Sequence, residues 1–120
     1  MDLQLTNKTA FISGSTAGIG FATAKRLLQE GASVIINGRS TQRVEEAIKK
    51  LQQQVPGARV SGVAADFSKS EEVEQLLPKI ETADILVNNA GIFEPKAFVD
   101  IPDEDWFKFF EVNVMSGIRL

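Results

Sequence analysis

Cysteine, histidine and tyrosine are all absent from this 120-residue chain, and each absence closes off chemistry. Without cysteine there are no disulfides and no thiolate metal sites. Without histidine the chain lacks the usual general base and the commonest transition-metal ligand. A carboxylate-held magnesium stays open, but no carboxylate cluster asks for one, so no metal is expected. The lack of tyrosine removes a phenolic proton donor and limits what the chain can do by itself. Positive charge is in deficit too: 13 Lys and Arg against 16 Asp and Glu leave a net charge of -3. A general nucleic-acid surface, which needs a basic face, is therefore not expected. No window approaches membrane-spanning length, and the opening MDLQLTNK has no basic segment leading into a long apolar run. No membrane partner is expected, and the cytoplasm is the default location. What is present is ordinary for a globular protein, 43% apolar and 24% charged. The length suits one domain with a core and is short for a complete two-substrate enzyme.

The stretch Thr9 to Gly20, TAFISGSTAGIG, organises the rest. Thr9 to Ser13 is a β-branched and apolar run fit for a strand, Gly14 begins a turn, and a helix opens from about Gly18. Such a junction points bare backbone N–H groups at whatever sits before the helix. A phosphate fits there, because a helix N-terminus carries partial positive charge and unsatisfied donors. Gly14 allows the sharp turn, Gly18 lets a ligand approach the backbone, and Gly20 lets the helix pack close to the strand. The spacing Gly14-x-x-x-Gly18-x-Gly20 differs from the common G-x-G-x-x-G, and no Gly-Lys-Ser/Thr follows it, which argues against a P-loop nucleotidase.

Further along, Gly20, Ala24, Leu27 and Leu28 mark one face of a helix ending at Gly31. Ser33 to Asn37 is a second strand with a continuous apolar middle, as a strand covered on both faces requires. Ser40 caps a helix with the stripe Val44, Ala47, Ile48 and Leu51, which the QQQVPGA segment ends. Arg59 to Ala64 is a third strand. Ser68 and Glu71 can form a capping box before the stripe Val73, Leu76, Leu77 and Ile80, with Pro78 expected to end or kink that helix early. Asp84 to Asn88 is a fourth strand, and after a loop from Ile92 to Pro102 the acidic turn Asp103, Glu104, Asp105 starts another helix. There are no internal repeats or linkers. Strands alternating with helices imply right-handed crossovers and a parallel sheet, a Rossmann-type doubly wound α/β fold of strand order 3-2-1-4 that stops after the fourth strand and its following helix. Ligands bind such sheets in the crevice between strands one and four.

Asn88-Asn89-Ala90-Gly91 follows the fourth strand and so faces the Gly14 turn across that crevice. The two motifs together resemble the TGxxxGxG and NNAG signatures of the short-chain dehydrogenase/reductase family, with Ser13 where that family usually has Thr. The match runs from Lys8 through Leu120 and aligns with the N-terminal half of an ordinary member, so residues 1–120 are expected to form its NAD(P)-binding domain. By that resemblance the cofactor-binding residues are Gly14, Ser15, Thr16, Gly18, Ile19 and Gly20 in the turn, and Asn89, Ala90 and Gly91, which border the adenine-side ribose and help fix the sheet. Asp66, at the end of the third strand, matches the family aspartate that accepts from the adenine amino group, and Phe67 contributes backbone contacts.

Cofactor choice follows from charge. An NAD-specific site usually holds the ribose 2′-hydroxyl with an acid at the end of the second strand, and that acid would repel a 2′-phosphate. Ile36, Asn37, Gly38 and Arg39 include no acid, and Arg39 offers a permanently charged fork suited to phosphate. NADP(H) is expected over NAD(H), with Ser15 and Ser40 as added hydroxyl donors. In the last helix Trp106, Phe109, Phe110, Asn113 and Gly117 share one face, which places Asn113 on an apolar stripe where a buried amide must be hydrogen-bonded. EVNV also resembles the family segment whose Asn belongs to a catalytic Asn-Ser-Tyr-Lys set, its carbonyl binding a water linked to the lysine. That makes Asn113 the catalytic candidate.

The family's serine, its Tyr-x-x-x-Lys pair, its later strands and its substrate loop have no counterpart here. Without tyrosine this chain cannot supply the acid that protonates a carbonyl during hydride transfer. Lys49, Lys50 and Lys79 lie on amphipathic helices and are expected to be solvated, and Leu120 falls inside a predicted helix without a cap, which reads as a truncated chain. The expectation is a parent oxidoreductase moving a hydride between nicotinamide and a small-molecule carbonyl or alcohol, homo-oligomeric as its relatives commonly are through the helix near Asp103. The 120 residues alone are expected to be inactive. A non-enzymatic dinucleotide-binding module is the alternative, and an interaction fragment pairing through the open fourth-strand edge is a third.

Overall fold

The computed structural model describes all residues, 1–120. Its strands are β1 (Thr9–Ile12), β2 (Ser33–Gly38), β3 (Val60–Ala64) and β4 (Ile85–Val87), and its helices are α1 (Gly18–Gln29), α2 (Thr41–Gln54), α3 (Ser70–Ile80), α4 (Asp103–Phe110) and α5 (Ser116–Arg119). The strands form one parallel sheet in the order β3-β2-β1-β4. Ile12 lies beside Ile36 on one side and Val87 on the other, so the C-terminal ends of β1, β2 and β4 come level.

Alternation along the strands divides the core into two layers. Ala10, Ile12, Val34 and Ile36 face α1 and α2, which bury Ala24, Leu28, Val44, Ala47 and Leu51 against them. Phe11 and Ile35 point the other way, onto Val73, Leu76 and Ile80 of α3 and onto Phe67. Because α1 and α3 cover opposite faces, the β1–β4 boundary is where the winding reverses, and a crevice opens outside the strand ends there. No helix is long and apolar enough to cross a membrane.

Of the five helices, one start carries a side-chain cap. Ser40 caps α2, its hydroxyl oxygen accepting from the Arg43 N–H at 3.3 Å. The start of α3 departs from the expected capping box. Asp66 Oδ1 accepts both the N–H and the hydroxyl of Ser68, at 2.9 and 2.7 Å, which spends Ser68 on a turn and delays the helix to Ser70. Glu72, and not Glu71, reaches back, accepting the Asp66 N–H at 2.7 Å. Pro78 does not end α3, which continues to Ile80. Pro78 lies in the last turn, and both it and Glu74, whose carbonyl loses its helical donor, are at exposed positions where water can serve the freed group.

The end of the chain corrects a second expectation. Between α4 and α5 the backbone widens into a π-helical turn, Glu111–Met115. In and just after this turn Val112 and Ser116 are buried while Asn113 is exposed. Trp106 and Phe110, expected on a buried stripe, are 49% and 54% exposed.

Candidate functional site

The glycine turn between β1 and α1 is built around its donors. Gly14 and Gly18 sit at φ of +61° and +59°, the left-handed region that favours glycine. The first two N–H groups turn inward: Gly14 donates to Asn37 Oδ1 at 2.9 Å, and Ser15 donates to the Asn37 carbonyl at 2.8 Å. The next intramolecular bond is Phe21 N–H to the Ala17 carbonyl. Between them the N–H groups of Thr16, Ala17, Gly18, Ile19 and Gly20 have no acceptor in the protein. A run of free donors at the start of a helix is an anion site in search of its anion.

Asn37, at the end of β2, holds this turn. It is 1% exposed. Its amide Nδ2 donates to the carbonyls of Val63 and Ala65, at 3.1 and 3.3 Å, and its backbone N–H donates to Ser15 Oγ at 2.9 Å. The side chain therefore ties the turn to the ends of both β2 and β3. Ser15 completes the arrangement by donating its hydroxyl to the Ile12 carbonyl at 2.7 Å. This corrects the expectation that Ser15 offers a hydroxyl to a ligand, since it is fully buried and both its donors are committed.

From the other side, β4 braces the same turn. Ser13 Oγ accepts the N–H groups of Asn89 and Ala90, at 3.0 and 2.9 Å, and the Asn89 amide donates to the carbonyls of Ser13 and Gly14, at 3.1 and 2.9 Å. A Cβ on Gly20 would stand 2.6 Å from both Asn89 Nδ2 and the Gly14 carbonyl oxygen, so only glycine lets the Asn89 amide reach the turn. A Cβ on Gly18 meets nothing within 4 Å, which leaves that approach open.

Outside the strand ends lies a cleft of about 420 Å³. Of the residues singled out from the sequence, Gly14, Thr16, Arg39, Asp66, Phe67, Ala90 and Gly91 line it together. Ser15 and Gly20 are buried and, with Asn89, support the turn, while Gly18, Ile19 and Ser40 are exposed and outside the lining. The Phe67 ring is spent on the α3 side of the core. Asn113 is also outside the lining, and its amide forms a closed pair with Ile92, accepting its N–H at 2.7 Å and donating to its carbonyl at 3.0 Å. The cleft also takes in Asn37, Arg43, Ile92, Lys108 and Val112. Arg43 was legible as a second arginine one helical turn after Arg39, and Asn37 as the polar end of an apolar strand.

Burial pushes the Asp66 carboxyl up, but the hydrogen bonds from the Ser68 hydroxyl and N–H, with the charges of Lys69 and Arg39, outweigh it and hold the group below its ordinary value of 3.8. The carboxylate is thus an acceptor at neutral pH. The hydrogen bond from the Asp66 N–H, followed by Lys69, likewise holds Glu72 below the usual carboxylate range.

A parallel sheet of order β3-β2-β1-β4 with a strand-turn-helix donor cradle at its winding reversal is a Rossmann-type α/β fold. The short chain dehydrogenase model matches residues 8–120. The chain belongs to that family. It is 50% identical over 120 residues to the uncharacterized oxidoreductase YvaG of Bacillus subtilis (strain 168), covering 100% of this chain and 46% of that protein. Identity to the D-beta-hydroxybutyrate dehydrogenase of Cupriavidus necator is 40%, covering 97% of this chain and 46% of that one. In structure it matches L-sorbose reductase from Gluconobacter frateurii, complexed with NADPH and L-sorbose, with a TM-score of 0.91 at 36% identity, covering 100% of this chain and 47% of that one. The chain thus spans about half the length of these relatives.

Two outcomes follow. Asn37→Ala strips the partners from the Gly14 N–H and from the Val63 and Ala65 carbonyls. At about 1–3 kcal/mol for a buried group left unpaired, it should lower the unfolding free energy measured in urea by about 2–4 kcal/mol; a change under about 0.5 kcal/mol would mean water replaces the amide freely. Because the folded value of Asp66 is depressed, its contribution to stability is complete above 3.8 and is lost as pH falls through the lower folded value. Urea midpoints followed into acid should decline less steeply for Asp66→Asn than for the parent chain, and identical slopes would rule Asp66 out as a contributor.

Proposed function

We propose that this chain is the cofactor-binding half of an NADP(H)-dependent oxidoreductase whose whole protein moves a hydride between nicotinamide and a small-molecule carbonyl or alcohol. The observation that carries this reading is the uninterrupted run of unpartnered N–H groups from Thr16 to Gly20 beside a cleft that has Arg39 and no carboxylate at the end of β2. Those donors, with the α1 terminus behind them, suit a pyrophosphate, and the absence of an acid beside Arg39 suits a ribose bearing a 2′-phosphate. Asp66 accepts from the adenine amino group, the Phe67 backbone lies along the same ring, and Asn89, Ala90 and Gly91 border the adenine-side ribose. Ser40 stands at the entrance to α2 with its hydroxyl proton uncommitted, and Gly18 and Ile19 form the outer part of the donor run. The nicotinamide, when bound, supplies or accepts the hydride.

What this chain contributes to the reaction is binding and orientation. Asn113 holds Ile92 through its side chain, and its backbone carbonyl is the group we assign to the water that family members link to their lysine. Without tyrosine the 120 residues hold no phenol to protonate a developing alkoxide, so hydride transfer belongs to the whole protein. That same lack keeps a non-enzymatic dinucleotide-binding module as the second reading, and assay of the whole protein for NADPH-linked carbonyl reduction separates the two. We place the protein in the cytoplasm and expect a homo-oligomer.

Calorimetric titration of the chain should show NADPH binding more tightly than NADH. Arg39→Ala should weaken NADPH roughly ten- to a hundredfold, the worth of a charged hydrogen-bond pair to phosphate, and leave NADH nearly unchanged. Equal affinities in the parent chain would overturn the choice of NADP(H).

A further inference from the structure

We propose that Asn37 is a deamidation site that the folded chain holds shut, and that losing its amide unbraces the cleft irreversibly. Asn37 is followed by Gly38, and no other asparagine in the chain precedes a glycine. Such a pair is chemically labile, because no side chain on the glycine keeps its backbone nitrogen away from the asparagine Cγ. The Gly38 nitrogen, giving its proton to solvent, bonds to Asn37 Cγ as the Cγ–Nδ2 bond breaks and Nδ2 leaves as ammonia. Water then opens the cyclic imide at either carbonyl. One product is an aspartyl residue in place of Asn37, and the other is an isoaspartyl residue whose backbone runs through the former side chain.

Packing demands both halves of this pair. A Cβ on Gly38 would stand 2.5 Å from Thr16 Cγ2 and 3.2 Å from Val44 Cγ2. The carboxamide of Asn37 both accepts the Gly14 N–H and donates to the Val63 and Ala65 carbonyls, a combination that needs an oxygen and an N–H on one group. The same contacts guard the site. Asn37 is 1% exposed, and Gly38 is buried in β2 opposite Ala64, its carbonyl accepting the Ala65 N–H at 2.9 Å. Turning Asn37 Cγ onto the Gly38 nitrogen breaks the side-chain bonds, so the reaction waits for the turn and the end of β2 to open. Refolding afterwards cannot restore the brace. A carboxylate has no N–H for the Val63 and Ala65 carbonyls and sets a charge against them at a buried point. An isoaspartyl link adds a carbon to the backbone between Ile36 and Gly38 and breaks the register with β3.

The test is peptide mass mapping of the chain kept in mildly alkaline buffer, folded and in urea, with isoaspartate counted separately. In urea Asn37 should lose its amide faster than Asn7, Asn88, Asn89 and Asn113, and Gly38→Ala should slow that loss. In buffer without urea the rate at Asn37 should fall at least about tenfold, since only opened molecules react. Asn37→Asp, made directly, should lower the urea midpoint of unfolding, with the deficit shrinking as acid protonates the buried carboxyl. Protection in the folded chain no greater at Asn37 than at the exposed Asn7 would overturn the guarding role. Loss from Asn37 in urea no faster than from Asn7 would remove the labile pair, and an Asn37→Asp chain as stable as the parent would overturn the irreversible damage.

Discussion

The carboxamide of Asn37 is the point on which the cleft depends. Two segments distant in sequence, the glycine turn after β1 and the end of β3, each place backbone groups on this one side chain at the end of β2. It is buried, so each of those bonds is made in a medium where leaving it unmade is costly. Its geometry also decides which turn donors are consumed. By taking the Gly14 N–H on its side chain and the Ser15 N–H on its carbonyl, Asn37 uses the first two and leaves the following run, Thr16 to Gly20, without an acceptor in the protein.

The opposite strand applies the same economy. One hydroxyl, on Ser13, accepts two successive N–H groups from the start of the loop after β4. The family's usual threonine carries the same hydroxyl, so serine here keeps the polar chemistry and gives up only a methyl group. Asn89 then crosses to the Ser13 and Gly14 carbonyls through the space that Gly20 leaves by having no side chain. Sheet register makes this possible: Ile12 sits level with both Ile36 and Val87, so the residues just beyond them meet in one plane. Arg39, Asp66 and the backbone of Gly91 reach the cleft from elements that this bracing fixes.

Much of this was legible in the chain itself, for local reasons. Strand order followed from apolar runs alternating with amphipathic helices, and the stripes Val44, Ala47, Leu51 and Val73, Leu76, Ile80 are buried as their period requires. The turn glycines and Asn89 announced themselves by residue type. What escaped local reading depends on contacts distant in sequence or on a face left uncovered. Asn37 looks like the polar end of a strand until Gly14, Val63 and Ala65 are brought to it. Ser15 looks like a donor to a ligand until Ile12 and Asn37 claim it. Ser68 was drawn away from its capping role by Asp66, and the aromatic stripe of the last helices is left uncovered, Trp106 and Phe110 about half exposed and Asn113 exposed with them.

The central claim is that the unpartnered N–H groups of Thr16 to Gly20 are the dinucleotide's pyrophosphate cradle, and amide NMR reads those groups one by one. On addition of NADPH to the isotopically labelled chain, the account predicts that the largest amide shifts fall on Thr16, Ala17, Gly18, Ile19 and Gly20, while the Gly14 and Ser15 amides, bonded to Asn37, move little. Saturable NADPH binding that leaves the Thr16 to Gly20 amides unmoved, with its shifts at the opposite end of the strands around Thr6, Gly31 and Ala58, would contradict it.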